Sequence, residues 1–231
     1  MNIYETDPKF MERMEHFATD EVVGEPGQQL EEPTRHMAIL ATLLGCQGID
    51  QFRLELPQAL DAGVTPVMAK EIVYQAVDYL GIGRVRPFLD ATNAILTDRG
   101  VKLPLEGQAT TTMENRLERG AQTQVEIFGD SMKDAWKQGH INRWLAANCF
   151  GDYYTRTGLD LKQREMITFC FLAAQGGCEP QLTSHAKGNM NLGSDKAFLI
   201  RVVSQCLPYI GYPRSLNAIS CINKAAEEMG R

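Results

Sequence analysis

Apolar positions along this chain recur at three-and-four spacing and nowhere settle into sustained alternation, so the pattern predicts helices and no strands. Residues 29–45 carry one stripe through Met37, Leu40, Ala41 and Leu44. Residues 66–80 carry another through Ile72, Val73, Ala76, Val77 and Leu80. Thr65 reads as the N-cap of that second helix, with Pro66 in its first turn. A charged helix is predicted over 113–128. Residues 161–175 are apolar almost all round, which predicts a buried helix. Two more helices are expected over 195–208 and 214–228. Near the middle of the chain, RGVKLPLEGQATTT (residues 99–112) concentrates Gly, Pro and Thr and reads as a linker.

The two sides of that linker resemble each other. Tyr79-Leu80-Gly81 is followed by Arg84, and Tyr209-Ile210-Gly211 by Arg214 at the same spacing. Eighteen residues before each of these glycines stands another, Gly63 and Gly193. Ile72, Val73 and Val77 coincide with Val202, Val203 and Leu207. Arg35 and Arg164 open corresponding helices, with one residue of difference in spacing. A run of matches on a shared apolar pattern predicts a duplicated helical unit. The expected organisation is a first repeat over 1–100, a linker and connecting helix over 101–130, and a second repeat over 131–231.

Composition narrows the partners. The chain has 231 residues, 44% hydrophobic and 23% charged, with a net charge of −6 and no basic run. A nucleic-acid surface would need clustered Lys and Arg and is not expected. The first residues, MNIYETDPKFMERMEHF, lack the apolar core of a signal peptide. No apolar stretch approaches the ~20 residues of a membrane span. The six cysteines (Cys46, Cys149, Cys170, Cys178, Cys206 and Cys221) include no C-x-x-C pair, and Cys170, Cys206 and Cys221 read as small core hydrophobes. A reduced, cytoplasmic protein follows as the expectation. Four scattered histidines give no metal-ligand spacing, so neither a metal nor a cofactor is expected.

The second half carries the strongest motif. It runs Arg164-Glu165, then Gly177-Cys178-Glu179-Pro180-Gln181, His185 and Gly193, and closes on Tyr209-Ile210-Gly211-Tyr212-Pro213-Arg214. This unit resembles the carboxymuconolactone decarboxylase family, which is related to alkylhydroperoxidase D. The resemblance implies an all-α fold of two tandem repeats. It also implies a homo-oligomer, a trimer of double repeats forming a pseudo-hexameric ring, acting on a small-molecule substrate. Two chemistries are implied: removal of CO₂ from a lactone acid, and peroxide reduction by a C-x-x-C thiol pair with Glu and His as proton relay. Here the relay positions hold Cys178 and Gln181, so no disulfide can close within the motif. A one-cysteine peroxidase using Cys178 stays open, as does an inactive oligomeric protein.

The candidate catalytic residues are Glu165, Cys178 and His185. Glu165 shares a helix face with Leu161, Thr168, Phe169 and Leu172, where a carboxyl is costly unless paired. It is either a general acid or base with a raised pKa, or one half of an ion pair with Arg164 or Arg214. His185 is either a packing histidine or, at its family position, a proton-transfer group. Cys178 precedes Pro180 at a helix start, where the helix dipole is expected to lower its pKa. Seven residues separate it from His185, about 10 Å along a helix axis. Arg164, Tyr153, Tyr209 and Arg214 are candidate substrate-binding residues, Tyr153 with its neighbour Tyr154. In the first repeat Glu165 corresponds to His36, His185 to Glu55 and Cys178 to Gly48 or Ile49. An inert first copy, kept for architecture, is the expectation.

Overall fold

A computed structural model describes residues 3–231. Every long element is a helix, and no strand occurs among the described residues. Short helices lead from α1 (Pro8–Glu15) through a π-helical turn, His16–Glu21, into α2 (Glu32–Gly45), α3 (Ile49–Asp61), α4 (Pro66–Leu80) and α5 (Ile82–Asp98). After the linker come α6 (Arg116–Phe128) and α7 (Leu145–Tyr154), the latter wholly π-helical. Then α8 (Leu161–Gln175), α9 (Glu179–Asn191) and α10 (Lys196–Glu228) repeat the order of α2 to α5. Helix α10 is two helices joined at Gly211, whose φ of 73° breaks it where the sequence predicts an interruption.

Local chemistry sets these boundaries. Thr65 Oγ1 accepts from Met68 N at 3.2 Å and starts α4. A reciprocal capping box starts α8: Asp160 accepts from Gln163 N at 2.7 Å, and the Gln163 side chain accepts from Asp160 N at 3.0 Å. Gly63, Gly81, Gly193 and Gly211 all hold positive φ. The matched glycines therefore mark matched turns that a side chain would strain.

Helices α2 and α8 pack on each other at the centre, one from each copy. Both are buried on every side, α2 from His36 to Gly45 and α8 from Arg164 to Ala174. One apolar cluster runs through both copies. Burying a Leu, Ile or Phe contributes about 1.5–3 kcal/mol, so this shared core is the main force holding the halves together. A second, smaller cluster (Ile127, Cys149, Phe150 and Tyr154) forms where α6 crosses α7. The backbones touch at that crossing. A Cβ on Gly120 would run into the Ala146 carbonyl and Gly151 N, and one on Gly151 into the Arg116 carbonyl. Two glycines thus bring α7 close enough to aim Tyr154 at α8. No described helix is long and apolar enough to cross a membrane.

Candidate active site

Glu165 lies mid-wall on α8 with none of its surface exposed. Its partners come from two other elements. Tyr154, at the end of α7, donates its hydroxyl to Oε1 at 2.7 Å. His185, on α9, places Nδ1 2.9 Å from Oε2 and 3.1 Å from Oε1. The expected ion pair with Arg164 or Arg214 does not form, and the histidine takes that place. Room for the carboxylate is made one turn along α9, where a Cβ on Gly188 would stand 2.5 Å from Glu165 Oε2. Asn189 ties the helices together, donating from Nδ2 to the backbone carbonyls of Glu165 and His185, both at 2.9 Å.

The bonds around Glu165 have a direction. Tyr154 gives its proton to Glu165, so its oxygen accepts from its other neighbours. Thr168 Oγ1 is 2.8 Å away and Tyr79 OH 3.0 Å. Gln75 Nε2 in turn donates to Thr168 Oγ1 at 2.8 Å. Donors therefore converge on the Glu165 carboxyl group through Tyr154. Tyr79 and Phe128 meet the His185 ring edge-on, with centroids at 5.6 and 5.4 Å. With Nδ1 committed to Glu165, Nε2 hydrogen-bonds nothing. The side chain keeps 11% of its surface exposed.

Behind Tyr79 lies a further group that the sequence reading passes over. Asp78 accepts from Asn148 Nδ2 at 2.8 Å, and its other oxygen is buried without a hydrogen-bond partner. Burial pushes its carboxyl up to about 7; nearby Asp152 adds to the rise and the Cys149 thiol opposes it. Cys149 donates to Tyr79 OH at 3.6 Å, and burial holds its own pKa well above the ordinary thiol range.

The other sequence candidates are dispersed. Arg164, next to Glu165 but about 100° round the helix, is fully buried and committed elsewhere. Its Nη1 donates to Gln75 Oε1 at 2.8 Å, and its Nη2 to Glu71 Oε2 at 3.0 Å and to the carbonyls of Arg156 and Thr157. Tyr153 is half-buried near Asp78, Asp152 and Arg156, while its neighbour Tyr154 reaches Glu165. Tyr209 donates to Glu55 at 3.0 Å and so serves the first copy. Arg214 lies beside Cys178 in a crevice behind Gly176, with Nη1 buried and unpartnered.

Cys178 caps α9, with its thiol 3.4 Å from the Leu172 carbonyl. The expected depression of its pKa is overturned. Burial raises it, and that outweighs the opposing bond from Gln175 and the charge of Arg214. Neither hydrogen bond of Cys178, to Gln175 and to the Leu172 carbonyl, reaches the Glu165–His185 pair.

The first copy carries the same two residue types as the pair in the second. Its acid and histidine are exchanged rather than simply lost. His36 and Glu55 are both 6% exposed. They do not bond each other. Glu55 accepts from Gln51 and Tyr209, each at 3.0 Å, while His36 Nε2 lies 3.5 Å from Glu32 and its Nδ1 is buried unpartnered. Burial and then Arg35 lower the His36 pKa. The copies also trade residues. Tyr79 of the first reaches the Glu165 site and Tyr209 of the second reaches Glu55, at matching positions. Arg35 likewise donates to Gln205 at 3.0 Å as Arg164 does to Gln75. Among the described residues no group of His, Cys, Asp and Glu gathers as a metal site.

The fold and site together define an all-helical tandem duplication with one buried, hydrogen-bonded acid–histidine pair among the described residues. The profile of the carboxymuconolactone decarboxylase family matches residues 8–94 and again 140–224, and the chain belongs to that family. It is also similar to the 4-carboxymuconolactone decarboxylase of Acinetobacter baylyi, at 24% identity over 131 residues, covering 51% of this chain and 91% of the relative.

Proposed function

We propose that this chain is an acid–base enzyme acting on a small carboxylated or lactone substrate, with His185 Nε2 as the proton-transfer atom. The observation that carries this reading is the buried Glu165 carboxylate, which accepts from both Tyr154 and His185 Nδ1. An Nδ1–H committed to a carboxylate fixes the imidazole tautomer and orientation, leaving Nε2 to take or give a proton. In a decarboxylation, the bond to the departing CO₂ leaves its electron pair on carbon. A conjugated lactone carbonyl accepts that pair, and His185 returns a proton to the carbon. The relative's name supports this class of reaction. Ile82 and Tyr212 occupy matching positions, 59% and 62% exposed. We read them as contact faces of a homo-oligomer, a trimer of double repeats.

The test is CO₂ release from a panel of carboxylated γ-lactones and β-keto acids. Wild-type protein should turn over at least one. His185→Gln should lower that rate by about 10²–10⁴-fold, the usual worth of a positioned general acid or base. A His185→Gln protein working at the full rate would sink the assignment, and no turnover across the panel would remove the substrate class. The thiol-peroxidase reading has less support, because Cys178 stands apart from the pair and burial raises its pKa.

A further inference from the structure

A cavity of about 350 Å³ lies between α4, the linker and the turn after α7. Nothing in the proposed reaction uses it. Lys70 forms part of its wall and keeps only 8% of its surface exposed. Its Nζ donates to Asn93 Oδ1 at 2.6 Å and stands 5.0 Å from the Tyr74 ring centroid. An ammonium has three donors. One is used here, on a neutral acceptor, and no carboxylate among the described residues pairs with it. A buried cation without a counter-charge is costly, so the site is short of an anion.

Arg156 also lines the cavity, its guanidinium 5.3 Å from the same Tyr74 ring. Its Nε and Nη2 are spent on Glu71, at 2.9 and 2.8 Å, while Nη1 is unbonded. Arg164 shares the same Glu71 carboxylate. Two guanidiniums thus share one buried acid, and Lys70 stands outside that pairing. Glu106, on the linker, is exposed and pairs with none of them. Val67, Leu103 and Leu105 make the rest of the lining apolar.

We propose that this cavity is a binding site for a small organic carboxylate, its anionic end taken by Lys70 Nζ and Arg156 Nη1 and its apolar body held against Val67 and the linker. The volume falls within the range of small-molecule pockets, roughly 300–1,000 Å³. The site is distinct from the Glu165–His185 centre but not isolated from it. Hydrogen bonds run from Arg156 through Glu71, Arg164, Gln75, Thr168 and Tyr154 to Glu165.

Benzoate is a suitable probe, titrated into the intact chain by calorimetry and by amide NMR shifts. Benzoate should bind, the neutral isostere benzamide should not, and inorganic phosphate should bind more weakly than benzoate. Lys70→Met should weaken benzoate by about tenfold or more, the worth of a charged hydrogen bond. Lys70→Arg should keep it within a few-fold, and His185→Gln should leave it unchanged. In the wild-type spectrum, benzoate should shift the amides of residues 103–108, a measurement that needs no variant. The proposal is overturned if benzamide binds as well as benzoate, if phosphate binds more tightly, if a folded Lys70→Met retains wild-type affinity, or if the shifts centre on α9 around His185.

Discussion

Replacing Asp78 by asparagine isolates one titration. The wild-type carboxyl has one oxygen on Asn148 and one buried without a partner, and burial moves its pKa from an ordinary value near 4 to about 7. Between those two values the folded chain holds a proton that the unfolded chain has released. The stability lost to Asp78 therefore grows as pH rises from about 4 and levels off above about 7. At about 1.4 kcal/mol per pH unit, the full cost is on the order of 4 kcal/mol. Partial contact with water and local relaxation cut this to about 2 kcal/mol in practice. Asparagine keeps an acceptor for Asn148 and never ionises. Asp78→Asn should then match wild type near pH 4 and exceed it by about 2 kcal/mol at pH 8, or about 4–8 °C in melting temperature for a chain of this size. Urea unfolding followed by far-ultraviolet dichroism at both pH values gives the comparison, and taking the difference between variants cancels every other titrating group. A stability difference that does not change between pH 4 and 8 would refute the reasoning, as would a wild type more stable than Asp78→Asn at pH 8.

Tyr154→Phe removes the hydroxyl shared by Glu165, Thr168 and Tyr79, and should cost about 1–3 kcal/mol for the buried groups left unpaired, measured by the same unfolding assay. A loss below a few tenths of a kcal/mol would mean that the network contributes little to stability. Cys178 should alkylate with iodoacetamide more slowly than a free peptide thiol at pH 7.5, since burial raises its pKa; mass spectrometry of the modified peptide reads the rate, and a fast, peroxide-sensitive Cys178 would revive the redox reading. Light scattering should give the mass of three chains for the wild type. The double substitution Ile82→Glu and Tyr212→Glu should lower it, and an unchanged mass would move the contact surface elsewhere.

The fold was readable in the sequence because its punctuation is physical. Gly63, Gly81, Gly193 and Gly211 recur where the backbone needs positive φ, and the apolar stripes between them have one period. Glu165 stood out as an acid on an apolar face. Its tyrosine did not, because Tyr153 and Tyr154 lie on a π-helical segment whose facing cannot be counted on a 3.6-residue period. Tyr79 looked like a landmark of the repeat, and only the packing of α4 against the other copy's helix gives it a place beside Glu165. Cys178 was misjudged from a local argument. The dipole of α9 acts on the thiol, but desolvation by the surrounding core is larger, and burial of that kind is a tertiary property that the motif does not contain.

The exchange of Tyr79 and Tyr209 bears on how the two copies can drift. A duplicated unit that loses its own chemistry is ordinarily free to decay. Here the first copy supplies Tyr79 to the second copy's centre and Gln75 to the relay behind it. Selection on the Glu165 site therefore falls on α4 even if the His36–Glu55 end turns over nothing. The two halves are bound together as the subunits of a dimer would be, and neither can be discarded while each site draws a tyrosine from the other copy.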